Sequence, residues 1–173
     1  PHFVWGPGDP HFVPRILRQA RAERLRLIGD KPKKVDTIYV DNAAEAHLLA
    51  LNNLAIAAPV AGKAYFISQG EPVTHATLIN AWLNADGFPP ETRHVPLDLA
   101  RFVAAALETL YTTLRIQHEP PLTRFVVEQL SSATWFNLSA ARRDLDYVPR
   151  VRMAEGLARL SQFLARERMQ RRA

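Results

Sequence analysis

The side chains able to do chemistry here are six histidines, at positions 2, 11, 47, 75, 94 and 118, four tyrosines and a scatter of carboxylates, with no cysteine. Thiolate catalysis and disulfides are thereby excluded. No two histidines stand four apart and there is no His-Glu-x-x-His, so the spacing offers zinc no ligand set and no metal is expected. His47 falls within an apolar run and reads as a packing residue. His2 adjoins the apolar Phe3-Val4-Trp5 and is the histidine singled out for chemistry. Gly6-Pro7-Gly8 lacks both a third glycine and a Gly-Lys-Ser/Thr ending. It also leads into Pro10, which has no N–H for an anion, so it reads as a structural turn. No serine sits in a Gly-x-Ser-x-Gly elbow. Asp36 and Asp41 flank one predicted strand, where alternation sends them to opposite faces. These residues alone make no complete catalytic constellation.

The elements that must position them belong to one substantial core, as 173 residues with 47% hydrophobic content allow. The formal net charge is +5 and the pI is near 10.0, with basic residues gathered at 15–26 and 166–172. Aliphatics, not aromatics, separate the first group, so a solvated helix face is expected and nucleic-acid binding is not. No apolar run reaches membrane-spanning length, no signal peptide is visible, and a cytoplasmic location is the expectation.

The opening Pro1-His2-Phe3-Val4-Trp5 reads as the interior of a sheet strand, so a preceding half of the fold is expected. Asp9-Pro10 predicts an N-cap with Pro at N1, opening a helix to about Glu23. Leu25 to Ile28 and Val35 to Val40 read as strands. Asn42-Ala43-Ala44-Glu45 has capping-box spacing, with Asn as the cap of a nearly all-apolar helix. Gly62 to Ser68 predicts an interior strand, and Thr74 caps a helix carrying Leu78, Ile79, Trp82 and Leu83. His94-Val95-Pro96 is short and extended. From Asp98 to Leu114 an apolar stripe (Leu99, Phe102, Val103, Ala106, Leu107, Leu110) recurs at helical period. Its bland reading is a core-facing helix. Its sharper one, extended by Ile116, is an acyl-pocket wall or a peripheral membrane contact. Further helices are predicted near Phe125–Leu130, after Ser139 as a cap, and from Met153. Trp135 to Leu138 reads as a short strand.

Several strings resemble, in order, the C-terminal half of extended short-chain dehydrogenases/reductases. The nearest branch is that of 3β-hydroxysteroid and sterol-4α-carboxylate dehydrogenases. The strings are Pro1-His2-Phe3-Val4-Trp5-Gly6-Pro7-Gly8-Asp9, Ile28-Gly29-Asp30, Val35-Asp36-Thr37-Ile38-Tyr39-Val40-Asp41-Asn42-Ala43, Gly62 to Ser68, Glu71-Pro72, and Phe136 to Pro149. The resemblance implies an α/β fold: the last part of a Rossmann-like NAD(P)-binding fold interleaved with a mostly helical substrate lobe, over residues 1–173. It implies NAD or NADP as cofactor, with a hydrophobic keto or hydroxy small molecule as substrate. It also leaves a homodimer open.

The Tyr-x-x-x-Lys pair of such enzymes is absent, since Tyr39, Tyr65, Tyr111 and Tyr147 are followed four residues on by Ala43, Gln69, Arg115 and Val151. It is expected upstream of Pro1, and residues 1–173 alone are expected to be inert. By resemblance Pro1, His2, Phe3 and Val4 line the nicotinamide, and Trp5, Asp9, Phe12 and Tyr39 bind substrate. In nucleotide-sugar epimerases of the superfamily an arginine commonly precedes the strand Asp and clamps a diphosphate; here the residue is Val35. Asn42 stands where such members often carry Asp. Both departures favour a sterol, a dihydroflavonol-like ring or a long-chain 2-alkyl-3-oxoacid over a nucleotide sugar. The rival readings are a nucleotide-sugar epimerase/dehydratase and a non-catalytic module retaining half of the fold.

Overall fold

A computed structural model describes residues 1–56, 60–118 and 120–170. The chain is a mixed α/β structure in which short strands meet in pairs and helices and connecting segments share the buried residues. β1 (Val4–Trp5) lies parallel to β4 (Ile38–Tyr39), with Val4 opposite Ile38 and Trp5 opposite Tyr39. Between them run α1 (Phe12–Arg21), β2 (Leu27–Ile28) and β3 (Lys34–Val35). Parallel pairing needs such a crossover. α2 (Val40–Ile56) follows β4 without a loop, and then come β5 (Val73–Thr74), α3 (His75–Ala85) and β6 (His94–Val95). β5 runs antiparallel to β3, and β6 runs parallel to β2. α4 (Leu97–Thr113), α5 (Arg124–Ser131), α6 (Ser139–Leu145) and α7 (Met153–Gln170) complete the order.

The α1 start shows how the local chemistry works. Its helix begins at Phe12, later than Pro10, because the Asp9 carboxylate reaches forward over three N–H groups. His11 N and Phe12 N donate to Oδ1 (2.8 and 3.3 Å), and Val13 N donates to Oδ2 (2.8 Å). A carboxylate at this end also suits the helix dipole. Thr74 caps α3 as expected, its Oγ1 accepting from Thr77 N at 3.0 Å.

Several expectations fail for identifiable reasons. The Val35–Val40 strand is cut into β3 and β4 at Asp36-Thr37, whose side chains are both buried. Asn42 caps nothing, because α2 has already begun at Val40. Its amide instead donates to Gln69 Oε1 and Val151 O and accepts from Arg150 N and Val151 N. Gly62–Ser68 is no interior strand. It belongs to no strand pair. Ile67 packs into the core, Tyr65 Oη donates to Asp144 Oδ2 (3.0 Å) and Ser68 O accepts from Tyr147 Oη (2.9 Å). Gln69 N donates to Thr37 O (2.6 Å) just past its end, and Phe66 stacks on Phe136 at the surface, 63% exposed. Trp135–Leu138 is likewise unladdered, and the adjoining Thr134 touches β3 through a lone bridge to Val35. Asn137 Oδ1, not Ser139, serves the start of α6, accepting from Ser139 N at 2.9 Å.

Three apolar clusters result. The largest joins Trp5, Val13, Leu17, Val35, Tyr39, Leu83 and Leu160. Within it Gly156 of α7 lets the helix press on the aromatics, since a Cβ there would stand 2.7 Å from Tyr39 Cδ2. A second surrounds Ile38, Leu138, Leu145 and Tyr147. The third is small, Ala100, Ala104 and Val127, and ties α4 to α5.

Candidate functional site

The cavity that matters lies between α1, α3 and the α4–α5 pair, with a volume of about 690 Å³. α1 is amphipathic in an unusual way. Val13 and Leu17 go to the core, while Phe12, Arg15, Ile16 and Gln19 face the cavity at i, i+3, i+4 and i+7. α3 contributes Leu78, Ile79 and Trp82, and the α4–α5 side adds Leu99, Val103, Leu122 and Val126. This wall is overwhelmingly aliphatic and aromatic.

Its polar groups are placed unevenly. Pro1, His2, Phe3 and His75 gather where α1 begins, and Phe3 meets Phe12 edge-on at 4.7 Å. Arg24 and Arg26 line the cavity beyond the other end of α1. Phe3 adopts φ 44°, a left-handed conformation that costs an aromatic residue about 1–3 kcal/mol and is typical of functional sites. Its carbonyl still accepts from Ile38 N at 3.2 Å. His2 packs against Phe3 at 4.4 Å and edge-on against Phe136. Its Nε2 is buried with no hydrogen-bond partner among the described residues. Burial holds the His2 imidazole below its usual pKa, although the Asp36 carboxylate pulls the other way. His75 is lowered by burial too, against the opposing pull of the Ser132 carbonyl, which lies 3.1 Å from its Nε2. In both, burial favours the uncharged imidazole, which can donate or accept a hydrogen bond.

Of the residues expected to touch substrate or cofactor, Pro1, His2, Phe3 and Phe12 line this cavity. Val4 packs against the second cluster. Trp5 is buried, donating Nε1–H to Thr37 Oγ1 at 3.0 Å, and meets Tyr39 edge-on. Tyr39 is buried in the main core and Asp9 serves α1; neither lines the cavity. Val35 is fully buried, well placed for packing and useless for holding a phosphate. Asn42 is committed to backbone partners and to Gln69, so its identity reports on packing and not on substrate. Arg15 and Gln19 are cavity residues that sequence does not single out. Their signal is the polar residues set on the apolar spacing of α1, but only the fold shows that this stripe borders a cavity. Among the described residues no cluster of metal-ligating side chains occurs, and no helix is long and apolar enough to cross a membrane.

Residues 1–98 match the 3-beta hydroxysteroid dehydrogenase/isomerase family. The chain belongs to that family. Among curated members and relatives, it is 52% identical over 165 residues to the 2-alkyl-3-oxoalkanoate reductase of Shewanella oneidensis, covering 95% of this chain and 43% of the other. It is 32% identical over 168 residues to a decarboxylating sterol-4-alpha-carboxylate 3-dehydrogenase of Schizosaccharomyces pombe, covering 95% and 49%. The chain thus spans less than half the length of either relative. In fold it is similar to the UDP-glucuronic acid 4-epimerase of Bacillus cereus in complex with NAD, with a TM-score of 0.61 at 18% identity. That match covers 95% of this chain and 43% of the epimerase. This member of the 3-beta hydroxysteroid dehydrogenase/isomerase family therefore has part of a Rossmann-like fold.

Proposed function

We propose that these residues form the C-terminal, substrate-binding portion of an NAD(P)-dependent oxidoreductase. It would interconvert the ketone and secondary alcohol of a long-chain, hydrophobic β-keto acid of the 2-alkyl-3-oxoalkanoate class. The observation that carries this reading is the 690 Å³ apolar cavity with its polar groups at the Pro1-His2-Phe3 end. That volume suits a ligand buried largely by apolar contact. The 52% identity to the Shewanella reductase supports the substrate class.

The residues at that end fit a nicotinamide. The His2 Nε2, buried and unpartnered, is a polar atom that a carboxamide would satisfy, and Phe3 and Pro1 offer apolar surface to a ring. The backbone of Val4, held by β4, fixes the height of that edge. When bound, the cofactor supplies the two-electron reductant. The chain's own part is to orient the carbonyl toward Pro1-His2-Phe3, exclude water along the Phe12–Gln19 stripe and accommodate the alkyl chains between α3 and α5. Trp5, Tyr39 and Asp9 act at one remove, by holding β1, β4 and α1. The proton-transferring Tyr-Lys pair belongs to residues outside 1–173. A protein of this kind would work in the cytoplasm.

The test is turnover by the full-length protein. NADH or NADPH should be consumed with a long-chain 2-alkyl-3-oxo acid and not with UDP-sugars. Turnover of UDP-sugars alone would overturn the reading.

A further inference from the structure

An apolar cavity accepts alkyl chains readily, but a β-keto acid also brings a carboxylate that cannot be buried without a partner. We infer that Arg15 of α1 is the residue that binds this carboxylate, and that it sets the preference for an acid over a neutral ketone. The inference rests on the substrate class proposed above and deepens it.

Three arginines line the cavity: Arg15, Arg24 and Arg26. Reach decides among them. In a β-keto acid a single α-carbon separates the carboxylate from the reacting carbonyl carbon, so the anchor must stand close to the Pro1-His2-Phe3 end. Arg15 lies one turn along α1 from Phe12, about 4.5 Å of helix rise, and Phe12 touches Phe3. Arg24 lies beyond the end of α1, and the stretch from Phe12 to Arg21 alone covers roughly 13 Å. Arg26 is further still and is engaged, donating to the Glu23 and Leu25 carbonyls and standing 4.0 Å from Glu91.

Arg15 is also held in a fitting posture. One N–H of its guanidinium donates to Pro121 O at 2.9 Å, across the cavity from α1 to the segment before α5. Its remaining donors have no protein partner among the described residues, and a planar guanidinium can give two of them to one carboxylate. The bond to Pro121 removes much of the freedom a long side chain would lose on binding. Burial disfavours charge on the histidines at that end, which leaves them hydrogen-bonding groups and Arg15 the cation beside them.

The test uses the full-length protein in the oxidative direction, comparing a long-chain 2-alkyl-3-hydroxy acid with its methyl ester, NAD⁺ or NADP⁺ taking up the electrons. The readout is the ratio of kcat/KM for acid over ester. Arg15→Gln should lower that ratio about 10- to 100-fold, the scale of a lost charged hydrogen-bonded pair. Arg15→Lys should restore part of it, because the charge stays and the fork is lost. The ratio is internal to one preparation, so a partly folded sample does not distort it. If Arg15→Gln does not fold, a reduced ratio in Arg15→Lys supports the assignment and an unchanged one overturns it. An unchanged ratio in Arg15→Gln, or a fall produced by Arg24→Gln in its place, would overturn the assignment while leaving the cavity's function intact. If the wild type turns over neither compound, the functional reading itself falls.

Discussion

Asn42 illustrates how a residue type is chosen by partners that lie far off in sequence. Its buried amide uses both donor and acceptor ends, binding Gln69 Oε1 at 3.1 Å and Val151 O at 2.8 Å, and receiving Arg150 N and Val151 N at 3.0 Å each. These bonds fasten the approach to α7 onto α2. Asn42→Ala removes all of them and strands backbone groups that water cannot reach. The expected cost is about 3 kcal/mol, measured by urea unfolding of variant and parent. Asn42→Asp keeps the acceptor but places a carboxylate against Val151 O, so it should fare no better. Glu91 is the opposite case, a buried carboxylate held by its immediate neighbours in sequence. Its carboxylate takes N–H groups from Thr92 and Arg93 and pairs with the Arg93 guanidinium at 2.7 Å. The Arg93 side chain is the main reason its pKa falls from 4.5 to about 2. A carboxyl whose folded value is depressed stabilises the fold fully above its unfolded value. That contribution fades as pH falls below 4.5 and is gone below about 2. Unfolding midpoints should therefore drop across this acid window in the parent, and Glu91→Gln should flatten that limb. Equal slopes in both proteins would show that Glu91 does not contribute.

At the scale of elements, helices are legible in the sequence and strands less so. The α3, α4, α5 and α7 spans come from periodicity that survives in three dimensions, with Thr74 capping as sequence suggests. Asp9, by contrast, serves the first N–H groups of a helix that begins two residues later than the Asp9-Pro10 pair predicts. Gly62–Ser68 and Trp135–Leu138 have strand-like residues without ladders, because strand character depends on partners that apolar alternation cannot reveal. α4 shows the limit for helices too. Its stripe predicts the helix correctly and its buried face wrongly, because Ala100 and Ala104 turn to Val127 while Phe102 is 71% exposed. Small residues let α5 approach, and ion pairs Arg101–Glu128 and Arg124–Glu108 flank the contact at 2.7 and 2.6 Å. Size, then, and not hydrophobicity, marks the packed face. Phe102→Ser should change stability by less than about 0.5 kcal/mol, whereas a core phenylalanine would cost several. Thermal unfolding distinguishes the two. Of the site, Pro1 to Phe3 and Phe12 are visible in sequence; the cavity's far wall is not, since α3 and α5 bring residues such as Leu78 and Val126 to it from distant stretches of chain.

For the molecule as a whole, the cavity divides a well-buttressed side from a lightly held one. α1 and α3 rest on the large cluster that also contains Trp5, Tyr39 and Leu160. The α4–α5 pair rests on three buried residues and a few partly buried neighbours. Under the proposed function a substrate chain lying between them would replace missing contact, so binding strength should grow with chain length until the space is filled. Each buried methylene contributes about 0.8 kcal/mol, which is roughly a fourfold gain in affinity. In the full-length protein, kcat/KM across a series of 2-alkyl-3-hydroxy acids should rise by about that factor per carbon and then level off. Gln19 ends the α1 stripe, at the end away from Phe12, and its side chain is half-buried at the cavity wall. Gln19→Trp should fill part of the space and bring the plateau to shorter chains, leaving the shortest substrates least affected. If the plateau stays at the same chain length in Gln19→Trp, the alkyl groups do not run along α1. The cavity's long axis would then have to be assigned to something other than the substrate's tail.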